Sequence, residues 1–140
     1  MRYFITFFLL CFCFASISFA QKVDNKKGVT YYGEKPLLKI KGGSLVSDNS
    51  PTQISSYGSD KLLFVLTKHY YRDKEYHNVF YNEIRFADFD LSFKSNYDYK
   101  PLIKSLVENG VIKEDGELGD RETIDKYIRL YSFDPPSSAY

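Results

Sequence analysis

The chain has no tryptophan, a single methionine and only two cysteines, Cys11 and Cys13, both close to its beginning. It also lacks the glycine patterns that cradle phosphate: neither G-x-G-x-x-G nor a Walker arrangement occurs, so no nucleotide is implied. A G-x-S-x-G elbow is missing too. Gly42-Gly43-Ser44 has no helical pattern behind it to shape an oxyanion site, which removes serine acyl transfer. Charge of either sign is not in excess: 19 Lys/Arg against 18 Asp/Glu leave no basic surplus for nucleic acid or for an anionic membrane. With 140 residues there is room for one domain.

The first feature that is present reads as an export signal. Arg2 supplies a positive start, Phe4 to Phe14 is apolar apart from Thr6, and Ser18-Phe19-Ala20 places small residues at the −3 and −1 positions of a cleavage site after Ala20. Residues 1–20 are therefore assigned to a signal peptide. A retained anchor is disfavoured because the span is short and has no stop-transfer flank. Large residues precede both thiols, which argues against lipid attachment, so no stable membrane anchor is expected after cleavage. Cleavage removes both cysteines, and the exported product enters an oxidising compartment with no thiol for disulfides, nucleophilic catalysis or metal ligation. A localisation in the periplasm or the external medium is implied. The remaining 120 residues (140 less 20) keep 18 Lys/Arg, 18 Asp/Glu, 12 Tyr and 6 Phe, so the fold must rest on apolar burial with many aromatics.

Residues 21–28 are polar and lysine-rich and read as a flexible leader. From Val29 the pattern becomes β. Val29 to Tyr32 and Leu37 to Ile40 flank the turn-forming Gly33-Glu34-Lys35-Pro36. Leu45-Val46 is read as a brief strand and Thr52 to Ser56 as another. Leu62 to Tyr71 is rich in β-branched and aromatic residues, and Val79 to Phe86 places Phe80, Ile84 and Phe86 on one face, so the two runs form a hairpin. Phe89, Leu91 and Phe93 alternate in the opposite phase, which requires a bulge or turn near Ala87-Asp88.

Helical periodicity takes over from Asn96. Asp98 caps a first helix with Leu102, Ile103, Leu106 and Val107 as its stripe, ending at Asn109-Gly110. Asp120 caps a second, in which Ile124, Tyr127, Ile128 and Tyr131 share one face. Residues 134–140 read as a disordered tail. The expected class is α+β: a single domain over 29–133, with an antiparallel sheet of about four to six strands followed by two C-terminal helices packed on it.

The layout resembles small uncharacterised bacterial exported proteins. The features that carry the likeness are a signal ending in Phe-Ala-Gln, the Tyr32-Gly33-Glu34-Lys35-Pro36 turn, and the block from Leu102 through Asn109-Gly110, Gly116-Glu117-Leu118 and Ile128 to Tyr131. The resemblance implies export and an α+β layout. It brings no activity and no site.

Candidate chemistry follows from the residues. His69 and His77 are the only histidines and flank the hairpin tip. Strands pairing symmetrically about Asp73 would set the two imidazoles opposite each other, with β-carbons roughly 5 Å apart, where zinc could take both and Asp73 or Glu75 as a third ligand. The plainer reading is a pair of exposed loop histidines. Glu83, Asp88 and Asp90 form an acidic group that could divide acid and base roles, but alternation accounts for them as an outward polar face. Tyrosine is the remaining signal. Tyr70, Tyr71, Tyr76 and Tyr81 cluster in the hairpin, adjacent residues of a strand point to opposite faces, and exposed tyrosine suits recognition. The expectation is an exported, non-enzymatic protein without a cofactor that binds another protein through these tyrosines, in the manner of an inhibitor or immunity protein. The alternative is a small envelope metal binder or hydrolase using His69 and His77.

Overall fold

The computed structural model describes residues 21–47 and 49–136. The proposed signal peptide and residues 137–140 of the proposed tail lie outside the described residues. Seven strands come first: β1 Val23–Lys26, β2 Val29–Tyr32, β3 Lys35–Lys41, β4 Thr52–Ser56, β5 Leu62–Arg72, β6 Asn78–Phe86 and β7 Ser92–Ser95. Two helices follow, α1 Tyr99–Glu108 and α2 Arg121–Tyr131, so the class is α+β as the pattern implied. Every strand pairs antiparallel with its sequence neighbours, giving one sheet in the order β1-β2-β3-β4-β5-β6-β7.

The strand count exceeds the expected four to six. The extra strand at the start lies in the segment read as a leader: Val23 to Lys26 pair with Tyr32 to Val29, and Val23 is buried. A two-residue turn makes this possible. Lys27 and Gly28 take φ of 51° and 75°, the left-handed pair whose twist matches antiparallel strands. Leu45-Val46, read as a brief strand, instead lies in a bend where Ser44 Oγ accepts the backbone N–H groups of Val46 and Ser47, because a serine side chain competes with a ladder for those donors. The face reversal near Ala87-Asp88 is a bend between β6 and β7.

One face of the sheet carries the core. Cross-strand rows Ile54–Phe64–Phe86 and Thr52–Leu66–Ile84–Phe93 run across β4 to β7, and Ile54, Phe64, Leu66 and Ile84 are buried to 1% exposure or less. The helices lie on this face at its two ends. α1 contacts β1 and α2 contacts β7. Thr30 and Tyr99 hydroxyls meet at 2.7 Å, Phe93 and Tyr127 rings pack edge to face at 5.5 Å, and Ser105 joins Tyr127 at 2.8 Å, linking α1 to α2. Buried tyrosines reach this deep because each hydroxyl finds a partner.

Both predicted caps form. Asp98 accepts from Tyr99 N–H and Asp120 from Thr123 N–H, and Gly110 follows α1 at φ 75°, the left-handed stop that glycine favours. Between the helices, Gly116 presses on β3: a β-carbon there would stand 2.6 Å from the Leu37 carbonyl oxygen at φ 84°. No other residue type fits without movement.

Candidate functional site

The β5–β6 hairpin is longer than the sheet that holds it. β4 pairs with β5 only as far as Leu66, and β7 pairs with β6 only as far as Asn82. From Thr67 through the turn to Tyr81 the two strands form a ladder only with each other, continuing to Arg72↔Asn78. A two-stranded ribbon is marginal alone, so its side chains and its turn must hold it.

The turn is organised by one carboxylate. Asp73 Oδ1 accepts the backbone N–H of His77 at 2.8 Å and of Glu75 at 2.9 Å, while Asp73 N–H donates to the His77 carbonyl. The backbone N–H of His77 first, and that of Glu75, hold the Asp73 carboxyl below its usual range against a partial loss of solvent. At the tip Tyr76 adopts φ 62° with its side chain 80% exposed. A bulky non-glycine residue in that conformation costs of order 1–3 kcal/mol, and such outliers gather at sites of interaction.

Alternation then sorts the ribbon into two faces. On the helix-free face His69 pairs with Tyr81 and Tyr71 with Val79. The His69 ring stacks on Tyr81 at 5.0 Å, Tyr71 lies 6.0 Å from the same ring, and Lys94 Nζ stands 5.4 Å above it. Glu83 Oε2 is 3.3 Å from His69 Nε2 without forming a hydrogen bond, and Glu83 Oε1 accepts from Arg85 at 3.2 Å. This is a half-buried aromatic strip edged by both signs of charge.

The opposite face continues the core row and turns polar. Lys68 follows Phe64 and Leu66 inward and is only 4% exposed. Its ammonium bridges to Asp98 Oδ1 at 3.2 Å and lies 4.0 Å from the centre of the Phe80 ring and 5.8 Å from that of Tyr70. Tyr70 pairs with Phe80 and donates its hydroxyl to the Val46 carbonyl at 2.7 Å, and Asn49 N–H donates to the Lys68 carbonyl. Asn82, opposite Lys68, donates to the Tyr97 carbonyl at 2.7 Å.

The four tyrosines expected to bind are thus divided. Tyr71 and Tyr81 share the outer strip, Tyr76 stands at the tip, and Tyr70 lies on the opposite face, 43% exposed, with its hydroxyl bonded to the loop before β4. The two histidines are not brought together. The ladder is centred on Glu75 instead of Asp73, so His69 faces Tyr81 while His77 remains in the turn, its Nδ1 3.4 Å from Asp73 and 3.6 Å from Glu75. The five-residue turn that Asp73 builds is the reason for the shift. Among the described residues no group of three or more His, Cys, Asp or Glu is arranged to hold a metal ion. The acidic group is also dispersed: Glu83 joins the outer strip and Asp88 is ion-paired with Lys61 in the bend after β6. Sequence reasoning did not single out Lys68, and it placed Asp73 at the centre of the hairpin as a metal-ligand candidate without seeing that its carboxylate builds the turn. Lys68 was detectable from its even position directly after Phe64 and Leu66, which face the core.

Among the described residues no helix is long and apolar enough to cross a membrane. A scan of protein-family models, a search of curated proteins and a search of solved structures each found nothing that matches this chain. The resemblance to small exported proteins therefore rests on its sequence motifs alone.

Proposed function

We propose that this is an exported binding protein that engages another protein through the β5–β6 ribbon, with Tyr76 as the leading contact and Tyr71, Tyr81 and His69 as the flat surface behind it. The observation that carries the reading is a tyrosine held in a left-handed turn conformation and exposed at the end of a ribbon longer than its neighbours. Tyrosine supplies broad contact area with few rotatable bonds and a polar tip. The strip is aromatic at its centre and charged at its margin, the anatomy of a recognition patch. Tyr70 belongs to the support: its hydroxyl ties the ribbon to the backbone at Val46. Blocking a secreted partner, as an inhibitor or immunity protein does, agrees with the size of the chain and with a site built from aromatics instead of a nucleophile and base.

A photo-crosslinking residue at position 76 tests this in intact cells. One defined adduct is expected, weakened by Tyr71→Ser with Tyr81→Ser and absent when the crosslinker is placed at position 130, which is also exposed to solvent. Identical adducts from both positions, or an adduct indifferent to the two serine substitutions, would remove the ribbon from the function.

A further inference from the structure

We propose that Gln21 is a modification site: after cleavage behind Ala20, the new amino terminus closes on its own side-chain amide to form pyroglutamate. The inference rests on the export reading, which makes Gln21 the first residue of the exported chain.

The structure places Gln21 where this closure is unhindered. It is exposed, and the sheet takes hold only one residue later, where the Lys22 carbonyl accepts Gly33 N–H at 2.7 Å and Val23 pairs with Tyr32. The Gln21 side chain lies over the β2–β3 turn. A β-carbon on Gly33 would come within 3.2 Å of its Oε1 and 3.5 Å of its Cδ, so the absence of a side chain at residue 33 leaves room for the amide. Gln21 also lines a hollow of about 280 Å³ with Tyr32, Glu34, Lys35, Leu37 and Glu114, which leaves its amide carbon beside open space instead of packed core.

The reaction needs no co-reactant. The lone pair of the α-amine attacks Cδ, an N–Cδ bond closes a five-membered ring, the Cδ–Nε2 bond breaks, and Nε2 leaves as ammonia with the proton that the amine gives up. Ordinary α-amines have pKa values of about 7.7–8.0, so a usable share is unprotonated and nucleophilic near neutrality. Holding amine and amide in one residue supplies the proximity that makes such closures effectively unimolecular.

The ring has a structural consequence. β1 is a four-residue strand at the edge of the sheet, and removal of residues from a free terminus reaches the Lys22 carbonyl at the second step and the buried Val23 at the third. A lactam has no primary amine for an aminopeptidase to hold. Cyclisation therefore guards the edge strand against trimming and withdraws one positive charge from a rim that carries Glu34, Lys35 and Glu114.

Intact mass measurement and stepwise amino-terminal sequencing of the exported protein decide the matter. The expected product begins at residue 21, is lighter than the unmodified chain by one ammonia, and resists sequencing until pyroglutamyl aminopeptidase is added. Gln21→Ala is expected to sequence freely and to be shortened by a broad-specificity aminopeptidase that leaves the wild type intact. A chain beginning at residue 21 with a free amine and an intact amide overturns the modification while leaving the cleavage reading in place. A chain beginning at Met1, or at any residue other than 21, overturns both.

Discussion

Lys68 offers the sharpest test of how the ribbon is held to the body of the protein. Its side chain is 5% exposed, whereas that of its partner Asp98 is 63% exposed, so one end of the ion pair is desolvated and the other is wet. Removing one partner of a fully buried pair costs about 3–5 kcal/mol, while a surface pair contributes roughly 0–1 kcal/mol. The geometry lies between these limits, and Asp98→Asn is expected to cost about 1–2 kcal/mol, since the Phe80 ring 4.0 Å away continues to stabilise the cation. Asparagine caps a helix as well as aspartate, so the substitution changes charge without removing the Asp98 cap of α1. Lys68→Met keeps the aliphatic stem and abolishes the desolvated charge, and its stability is expected to equal or exceed that of the wild type. Thermal unfolding followed by circular dichroism reads both, with a loss on the order of 5 °C expected for Asp98→Asn in a domain of this size. The double variant decides: with methionine at 68, the second substitution is expected to be silent. If Asp98→Asn costs the same with lysine or methionine at position 68, the pair does not anchor the ribbon and the argument is wrong.

Two further outcomes depend on pH. The Asp73 carboxylate is favoured in the folded turn, so its contribution is present above its ordinary value of 3.8 and is lost as pH falls below that value through the depressed folded pKa; the Glu75 and His77 amide resonances are expected to titrate there, and Asp73→Asn to abolish the titration. A midpoint above 3.8 would contradict the hydrogen bonds described. Burial pushes the Tyr99 hydroxyl above its ordinary value of 10.0, with the Thr30 hydrogen bond opposing in part. The fold therefore favours the neutral phenol, and stability present below pH 10.0 is lost as pH rises above it, so Tyr99→Phe is expected to move alkaline unfolding to higher pH; an unchanged midpoint would refute the assignment.

The helices were legible because their signals are local. Asp98 and Asp120 precede periodic stripes, and Gly110 follows one, so each boundary is set by residues within a turn of it. β1 was hidden for the converse reason. Val23 is the only large apolar residue in Val23–Lys26, and the strand exists through its ladder to β2 and the Lys27-Gly28 turn, neither of which leaves an alternating pattern. The Lys-Gly pair followed by Val29 was the available signal, since a residue before glycine between extended segments is a two-residue hairpin candidate. The hairpin around Asp73 was visible, but its register was not. Either a three- or a five-residue turn satisfies the apolar pattern, and the choice between them lies in hydrogen bonds from Glu75 and His77 to a single carboxylate.

That one choice of register determines which surface the ribbon offers. A ladder centred two residues earlier would have set His69 against His77 and produced a polar, metal-binding tip. Centred on Glu75, the ladder stacks His69 on Tyr81, leaves His77 in the turn and lifts Tyr76 clear of both strands. The strain at Tyr76 is thus a product of the same turn that Asp73 stabilises, and the two are coupled: when the carboxylate's hydrogen bonds are lost, only the backbone bonds from Tyr76 N–H to the Asp73 carbonyl and from Asp73 N–H to the His77 carbonyl, both 3.1 Å, are left to hold residue 76 in the left-handed region, where a tyrosine is strained. Recognition by the tip would then weaken even though the sheet, its helices and the outer strip of Tyr71 and Tyr81 stay in place, which separates a loss of presentation from a loss of fold.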